Sequence, residues 1–245
     1  MGTQAFVNDS GSAGKTTSSV SLGALLAERN KRVLLIDCDP QGNATLFTGA
    51  QAVPGKTMAE VLVGERCLEE VIVDSAVDNL WIAAAMRSLN AAVVGLTGDF
   101  GGGQKIRVAL KSLTGAYDTV LIDCPGSANV LTVAALVAAD HALAVAQPTL
   151  TELEGLPALE ETIVKVTSVY NPALHLSAVI PCIVPPSSSG RLYADGLTQL
   201  RALYGELVTS PVRHSVRVPE AYSSRVSVAS VRTARASQIR LPDGA

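Results

Sequence analysis

The sequence is poor in aromatic residues and has no cluster of metal-binding side chains. Aromatic residues make up 4% of the 245 residues, and the three histidines are scattered at His141, His175 and His214. The four cysteines lack the C-x-x-C spacing that is typical of zinc sites and dithiol redox motifs. We therefore predict neither a histidine-based metal site nor a disulfide framework, and we interpret the cysteines as buried free thiols in a reducing compartment.

Long apolar runs are absent as well. No run approaches the roughly 18 apolar residues that a membrane-spanning helix needs. The first residues also lack the charged and apolar regions of a signal peptide. These absences favour a cytoplasmic protein without a membrane span.

The net charge of −3 is distributed unevenly along the chain. Residues 1–185 contain 11 Lys/Arg and 18 Asp/Glu, which gives −7, whereas residues 186–245 contain 8 Arg and 4 acidic residues, which gives +4. Every basic residue of the second segment is an arginine, a side chain suited to phosphate contacts. A phosphate-bearing partner and a solvated basic surface without a partner both explain this segment.

What the sequence has is a regular alternation of apolar strand-like and helix-like segments. Apolar residues make up 48% of the chain, and continuous Val/Leu/Ile runs are typical of buried parallel strands. The alternation predicts an α/β fold with a mainly parallel, twisted sheet and helices on both faces. No linker divides the chain, so we expect one domain over residues 1–245 that includes the basic segment 186–245. Strands are predicted near 5–7, 32–37, 79–83, 119–123, 141–146 and 176–184, and helices near 18–29, 57–63, 130–139, 151–169 and 191–204.

A loop of small residues joins the first predicted strand to the first predicted helix. Backbone amides of such a loop can surround phosphate oxygens, as in P-loop NTPases. Lys15 would reach the terminal phosphates and the Thr16 hydroxyl would hold Mg²⁺. The usual first glycine of the motif is replaced by Asp9, and a Gly/Ser turn before an ordinary helix is the alternative. The predicted nucleotide-binding residues are Gly11, Ser12, Ala13, Gly14, Lys15, Thr16 and Thr17.

Two apolar strands end in an acidic residue. They are the runs that end at Asp37 and at Asp123. An aspartate at the tip of a strand beside a phosphate loop can hold Mg²⁺, although such an aspartate is often only a turn former or helix cap. Two such strands after a Gly-Lys-Thr loop favour the metal-binding interpretation.

Taken together, these motifs resemble the ParA family, the deviant Walker-type ATPases that partition plasmids and chromosomes. The most specific match is the stretch from Asp39 to Thr45, which reads Asp-Pro-Gln-Gly-Asn-Ala-Thr, and the other matches follow in family order over about nine-tenths of the chain. They are the phosphate loop, Leu34–Asp37, Val120–Pro125, Ala138–Asp140, Gln147-Pro148, Leu153–Leu156 and Val216–Ala221. The first strand begins at the N terminus, which resembles the short, chromosome-type members.

The resemblance implies a role for each matched residue. Lys15 would bind the β- and γ-phosphates, Asp39 would orient the attacking water, and Thr16 and Asp123, with Asp39, would support the metal. The implied cofactors are ATP and Mg²⁺, and the implied assembly is a homodimer that closes over ATP. That dimer would bind DNA without sequence preference on the nucleoid, and a cargo-bound, ParB-like activator protein would stimulate hydrolysis. The basic residues expected to contact DNA are Arg191, Arg213 and Arg217.

One position departs from the family pattern. The signature lysine, which in the family reaches across the dimer to the partner's ATP, corresponds here to Ser10. Removing a cation from a phosphoryl-transfer site can lower the rate by orders of magnitude. Carboxysome-distributing ATPases resemble this chain in lacking that lysine. Positioning of a protein compartment, and a nucleotide-binding protein that hardly hydrolyses, are therefore alternatives to DNA partition.

Two further alternatives are less well supported by the sequence. Membrane positioning, as in the MinD branch, would need a C-terminal amphipathic helix with bulky apolar residues. The tail offers only the sparse, small apolar residues Val228, Val231, Ile239 and Leu241. A metabolic P-loop enzyme would need a separate set of acid and base residues for its substrate, and none stands out.

Overall fold

The computed structural model describes residues 2–99, 101–186 and 191–224. The apolar tail residues discussed above lie outside these ranges. The described part of the chain contains seven strands, which are β1 (Gly2–Val7), β2 (Val33–Asp37), β3 (Ile72–Asp74), β4 (Leu80–Ala83), β5 (Thr119–Asp123), β6 (His141–Ala146) and β7 (His175–Pro181). It also contains nine α-helices, which are α1 (Lys15–Ala27), α2 (Asn43–Phe47), α3 (Met58–Val63), α4 (Leu89–Gly98), α5 (Lys105–Leu110), α6 (Val130–Ala138), α7 (Leu150–Val169), α8 (Leu192–Tyr204) and α9 (Arg217–Ser224).

The strands form one sheet in the order β3-β4-β2-β5-β1-β6-β7. All neighbours are parallel except β3 and β4, which are antiparallel. Strand β5 lies between β2 and β1, and Asp123 is the register partner of both Asp37 and Phe6. The carboxyl ends of three central strands therefore meet at one edge of the sheet, where α/β proteins bind ligands.

Helices cover both faces of the sheet, as predicted. Alternate residues of a strand point to opposite faces, so Leu34 and Ile36 belong to one apolar cluster while Val33 and Leu35 belong to the other. The first cluster is completed by buried residues of α3 to α8, and the second by residues of α1 and α2. The sheet is therefore buried on both sides, which explains why its strands read as continuous apolar runs.

The structure differs from the sequence-based prediction at several places, which include the following. Strand β3 was not expected, because it has only three residues, none of them fully buried, and pairs at the sheet edge. Gly102–Gln104, for which no regular element was predicted, forms a 3₁₀ helix in which a Cβ on Gly102 would collide with Leu96 O. Cys67 was expected to be buried and is exposed, whereas the other three cysteines are buried.

Pro181 ends β7 at the edge of the sheet, where a missing N–H is tolerated. Within residues 2–99, 101–186 and 191–224, no helix has both the length and the apolar character needed to cross a bilayer.

Candidate functional site

The loop between β1 and α1 has the backbone shape of an anion-binding turn. Gly14, the residue before α1, has φ 99° and ψ 14°, and Ser12 also has a positive φ of 63°. Left-handed backbone is unstrained for glycine but uncommon for other residues. A Cβ on Gly14 would also lie 3.2 Å from Cys182 Cβ. The glycine therefore satisfies both a dihedral and a packing requirement at the N terminus of α1, where the helix dipole favours an anion.

Lys15 is folded back onto this loop. Its Nζ donates hydrogen bonds to Ser10 O at 2.7 Å and to Asn8 O at 3.1 Å. The residue is only 6% exposed, and burial lowers the pKa of its ammonium group, against the opposing effect of the acidic groups led by Asp123. Among the described residues, the hydrogen bonds of Lys15 Nζ go to neutral carbonyl oxygens, so this buried cation is well placed to accept an anionic partner.

Thr16 lies directly against the acid at the tip of β5. Thr16 Oγ1 donates to Asp123 Oδ2 at 2.8 Å, and Ser19 Oγ donates to Asp123 Oδ1 at 3.1 Å. Burial, together with the smaller effect of the nearby Asp37 charge, raises the pKa of Asp123 to about 8. The arrangement brings a hydroxyl oxygen and a carboxylate oxygen together at the start of α1.

The two aspartates after β2 have different surroundings. Asp37 is fully buried, and its Oδ2 accepts from Thr45 N at 2.8 Å and from Thr45 Oγ1 at 2.7 Å. Burial raises the pKa of Asp37 to about 6, which its hydrogen bonds from Thr45 partly oppose. Asp39 lies farther out, lines the cavity described next, and accepts at Oδ1 from Gln41 N at 2.8 Å. Asp37 therefore orders the loop, whereas Asp39 faces the site.

The loop opens onto a cavity of about 450 Å³, a size suited to a small-molecule ligand. One wall consists of the loop and the start of α1, at residues 11–18, together with Asp39, Asn43, Phe47 and Gly126. The rest of the lining consists of Cys182, Ile183, residues 212–215 and Val218, and Cys182 Sγ lies 3.3 Å from Ser18 Oγ at the start of α1. The cavity therefore combines the phosphate loop with side chains that follow β7 and with side chains just before and within α9.

Gly126 fixes the distance between the loop after β5 and the phosphate loop. A Cβ at Gly126 would lie 2.9 Å from Gly11 Cα and 3.1 Å from Gly11 N. These are backbone atoms, so a side chain at this position would push the two loops apart. The glycine is needed for their close approach.

The structure brings most of the predicted site residues together. Residues 11–17 and Asp39 line the cavity, and Asp123 contacts Thr16 from beneath. Of the three predicted DNA-contacting arginines, Arg213 also lines the cavity, with Nη1 donating to Pro185 O at 3.1 Å. Arg191 precedes α8 and Arg217 begins α9, and both are exposed.

Sequence reasoning missed part of the cavity lining and several supporting side chains. Cys182, Ile183 and residues 212–215 follow no local motif, because only the pairing of the segment after β7 with the segment before α9 brings them to the cavity. Asn8 and Glu152 support the loop, and Ser19 contacts Asp123, through hydrogen bonds. Of these three residues, only Asn8 could have been suspected from the sequence, because it directly precedes the loop.

The donor set fits Mg²⁺ and not a metal held by protein groups alone. Among the described residues, no group of three or more His, Cys, Asp and Glu side chains could hold a metal ion. Thr16, Asp39 and Asp123 supply only oxygen ligands. Mg²⁺ prefers oxygen and takes much of its coordination from phosphates and water, so these residues suit an ion that arrives with a nucleotide.

Comparison with known proteins identifies sequence relatives. Residues 1–176 match the family described as AAA domain. The chain is 36% identical to the chromosome partitioning protein ParA of Caulobacter vibrioides over 223 residues, which cover 89% of this chain and 83% of ParA. It is 32% identical to the chromosome-partitioning ATPase Soj of Treponema pallidum over 229 residues, which cover 93% and 89% of the two chains.

Solved structures share the fold. A cobyrinic acid a,c-diamide synthase from Mycobacterium smegmatis with bound ADP and magnesium has a TM-score of 0.80 and 29% identity, and the match covers 100% of this chain and 99% of the other. The apo form of McdA from Cyanothece has a TM-score of 0.87 at 24% identity, with 95% and 93% covered. The second likeness concerns the fold alone.

Proposed function

The chain belongs to the ParA and Soj family of partition ATPases, and we propose that it binds Mg·ATP in the cavity beside Lys15 and uses the nucleotide to control DNA binding. The observation that carries the proposal is the convergence of Lys15, Thr16, Asp39 and Asp123 at one edge of the sheet. Because Mg²⁺ takes much of its coordination from phosphates and water, Thr16, Asp39 and Asp123 would be enough to hold it.

Each of these residues has a role that its surroundings support. The Lys15 ammonium would exchange the carbonyl oxygens of Asn8 and Ser10 for phosphate oxygens, which form stronger, charge-assisted hydrogen bonds. Thr16 and Asp123 would hold the metal, and Asp39, at the cavity wall, would orient the attacking water. Mg²⁺, when bound with the nucleotide, would neutralise charge on the transferred phosphoryl group.

The proposed partners are a second copy of the chain, DNA and a cargo-bound activator. Arg191, Arg213 and Arg217 are exposed, and arginine contacts to phosphates give affinity without sequence specificity. Because Arg213 also lines the cavity, the nucleotide would lie beside one of the proposed DNA contacts. This proximity gives ATP a direct route to influence DNA binding.

A gel-shift titration with ATP, ADP and no nucleotide tests the proposal. We expect the parent chain to bind duplex DNA at least tenfold more tightly with Mg·ATP than in the other two states, a difference of about 1.4 kcal/mol. Lys15→Ala should abolish both the ATP effect and Mg·ATP binding measured by calorimetry. Lys111→Ala removes the same charge at an exposed position outside the cavity and should behave like the parent. Equal DNA affinity in all three states would contradict the switch.

Ser10 favours a second candidate function, in which the chain hydrolyses ATP slowly and positions a protein compartment. Ser10 Oγ donates to Gly11 O at 3.1 Å, so this position supplies a short neutral side chain where the family has a lysine. Turnover with an Asp39→Ala control separates the possibilities. No difference between the two proteins would favour a chain that binds nucleotide without hydrolysing it. Stimulation by a small cargo adaptor, and not by a centromere-binding protein, would favour the compartment.

The likeness to the M. smegmatis diamide synthase supports one metabolic alternative. An enzyme of that kind would consume ATP in the presence of cobyrinic acid and an amide donor. ATP turnover that responds to these compounds and not to DNA would support amidation in place of partition.

A further inference from the structure

Asn8 connects the phosphate loop to two distant elements. Its Nδ2 donates to Val145 O in β6 at 2.7 Å and to Glu152 Oε2 in α7 at 2.9 Å. Its Oδ1 accepts from Ser10 N at 3.1 Å. The residue is 6% exposed, and all three bonds agree on one orientation of the amide, because a flipped amide would place its oxygen against two acceptors.

The turn closed by Asn8 is the same turn that holds Lys15. Lys15 Nζ donates to the carbonyl oxygens of Asn8 and Ser10, and the Asn8 side chain binds the backbone N–H of Ser10. The place of the ammonium group is therefore set by the geometry of residues 8–10. A displacement of the Asn8 side-chain amide would therefore shift the turn and, with it, the backbone oxygens of Asn8 and Ser10 that bind Lys15.

Glu152 fixes the Asn8 amide from outside the loop. It lies in the first turn of α7, where the helix dipole stabilises a carboxylate. It is partly buried and does not line the cavity. Its charge is among those that raise the pKa of Lys15 against the larger lowering effect of burial. A charged acceptor makes a stronger hydrogen bond to an amide than a neutral one, so Glu152 holds Asn8 more firmly than Val145 O alone.

We propose that Glu152 is a positioning residue for Lys15, acting through the Asn8 amide, so that α7 holds the loop in the shape that receives a triphosphate. The inference rests on the proposed function, because it concerns how the loop receives Mg·ATP. Glu152 touches no reacting atom in this role. It would hold the Lys15 side chain in its binding position before Mg·ATP arrives, which reduces the conformational entropy lost when the nucleotide binds.

Calorimetric binding of Mg·ATP to the full chain tests the proposal with three variants. Glu152→Ala removes the acceptor, Glu152→Gln keeps an acceptor oxygen without the charge, and Glu154→Ala removes an exposed glutamate two residues along the same helix. We expect Glu152→Ala to weaken binding about tenfold, the size of one lost hydrogen bond to a charged group. Glu152→Gln should recover to within about threefold of the parent, and Glu154→Ala should match the parent.

Two further measurements separate positioning from a general structural role. The KM for ATP of Glu152→Ala should rise while kcat at saturating ATP stays unchanged, and its unfolding temperature should equal that of Glu154→Ala. The proposal is overturned if Glu152→Ala binds as tightly as Glu154→Ala, if Glu152→Gln is as weak as Glu152→Ala, or if the loss of affinity follows a loss of thermal stability. Failure of the parent chain to bind Mg·ATP would overturn the proposed function as well, so the two failures are distinguishable.

Discussion

At the scale of single residues, the site keeps several charged groups in an environment that disfavours charge. Asp123 is fully buried and accepts hydrogen bonds only from the hydroxyls of Thr16 and Ser19 among the contacts of the described residues. Lys15 is nearly buried and is held by carbonyl oxygens. The proposed Mg·ATP would accommodate both groups better, because opposite charges would then replace lost hydration.

This situation predicts a pH-dependent stability of the metal-free protein. The pKa of Asp123 is raised from 3.8 to about 8, so the folded state binds this proton more tightly than the unfolded state. The resulting stabilisation is complete below the unfolded pKa and is lost as pH rises through the folded pKa. In EDTA, the unfolding temperature should therefore fall between about pH 4 and about pH 8 and level off at higher pH. Thermal unfolding followed by circular dichroism measures the slope.

Substitution identifies the source of that slope. Asp123→Asn keeps the shape without the titration and should flatten the dependence, whereas Asp78→Asn, at an exposed position, should not. Mg·ATP should stabilise the parent more at the higher pH, because a cation favours the ionised carboxylate. An equal slope in the parent and in Asp123→Asn would contradict this explanation.

At the scale of elements, the loops that follow β1, β2 and β5 are fixed mainly by side chains that satisfy backbone groups. Thr45 holds Asp37 after β2, and Asn8 closes the turn after β1. After β5, Asn129 caps α6, with its Oδ1 accepting from Leu131 N at 2.8 Å and Thr132 N at 3.3 Å. These bonds satisfy N–H groups that a helix cannot pair within itself.

The cap of α6 gives a prediction with a matched control. Asn129→Ala should lower the free energy of unfolding by about 1 kcal/mol, because two N–H groups lose their acceptor. Ser88 occupies the corresponding position before α4 but makes no capping hydrogen bond with its side chain, so Ser88→Ala should change stability by less than about 0.5 kcal/mol. Urea unfolding measures both values. Equal effects would show that the observed cap contributes nothing.

At the scale of the whole molecule, the site depends on a sheet that is buried on both faces. The central strand β5 carries Asp123 at its end and packs through Leu121 against the helix layer that contains α1. A Cβ on Gly23 of α1 would lie 3.5 Å from Leu121 Cδ1 and 3.2 Å from Leu80 Cδ1. Helix α1, which carries Lys15 and Thr16, therefore packs closely against β5, which carries Asp123.

Truncation in this layer should be costly. Leu121 is 0% exposed. Leu121→Ala should lower the free energy of unfolding by about 2–5 kcal/mol, because the surrounding sheet and helix cannot fully close the void left by the removed side chain. Val94 is 76% exposed in α4, and Val94→Ala should stay within about 0.5 kcal/mol of the parent. Denaturant titrations compare the two variants. A cost for Leu121→Ala no larger than that for Val94→Ala would contradict the described packing.

The position of most candidate site residues was predictable because their signals are local. The loop around Gly14 and Lys15 is a contiguous motif between a strand and a helix. The acids Asp37 and Asp123 end apolar runs, and parallel strands bring their carboxyl ends together. Strand β3 could not be predicted, because three partly exposed residues carry no clear period. The exposure of Cys67 was missed because spacing alone carries no information on burial.

The sequence by itself determined the fold class, the family and the residues proposed to bind phosphate, since each depends on short segments whose pattern survives without the rest of the chain. Only the tertiary structure decided which other residues line the cavity, the close approach of Gly126 to Gly11, and the link from Glu152 through Asn8 to Lys15. The additional lining residues include Cys182, Ile183 and residues 212–215. Asn8 and Glu152 are separated by 144 positions. Such contacts arise from the order in which strands enter the sheet, and no local pattern of residues encodes that order.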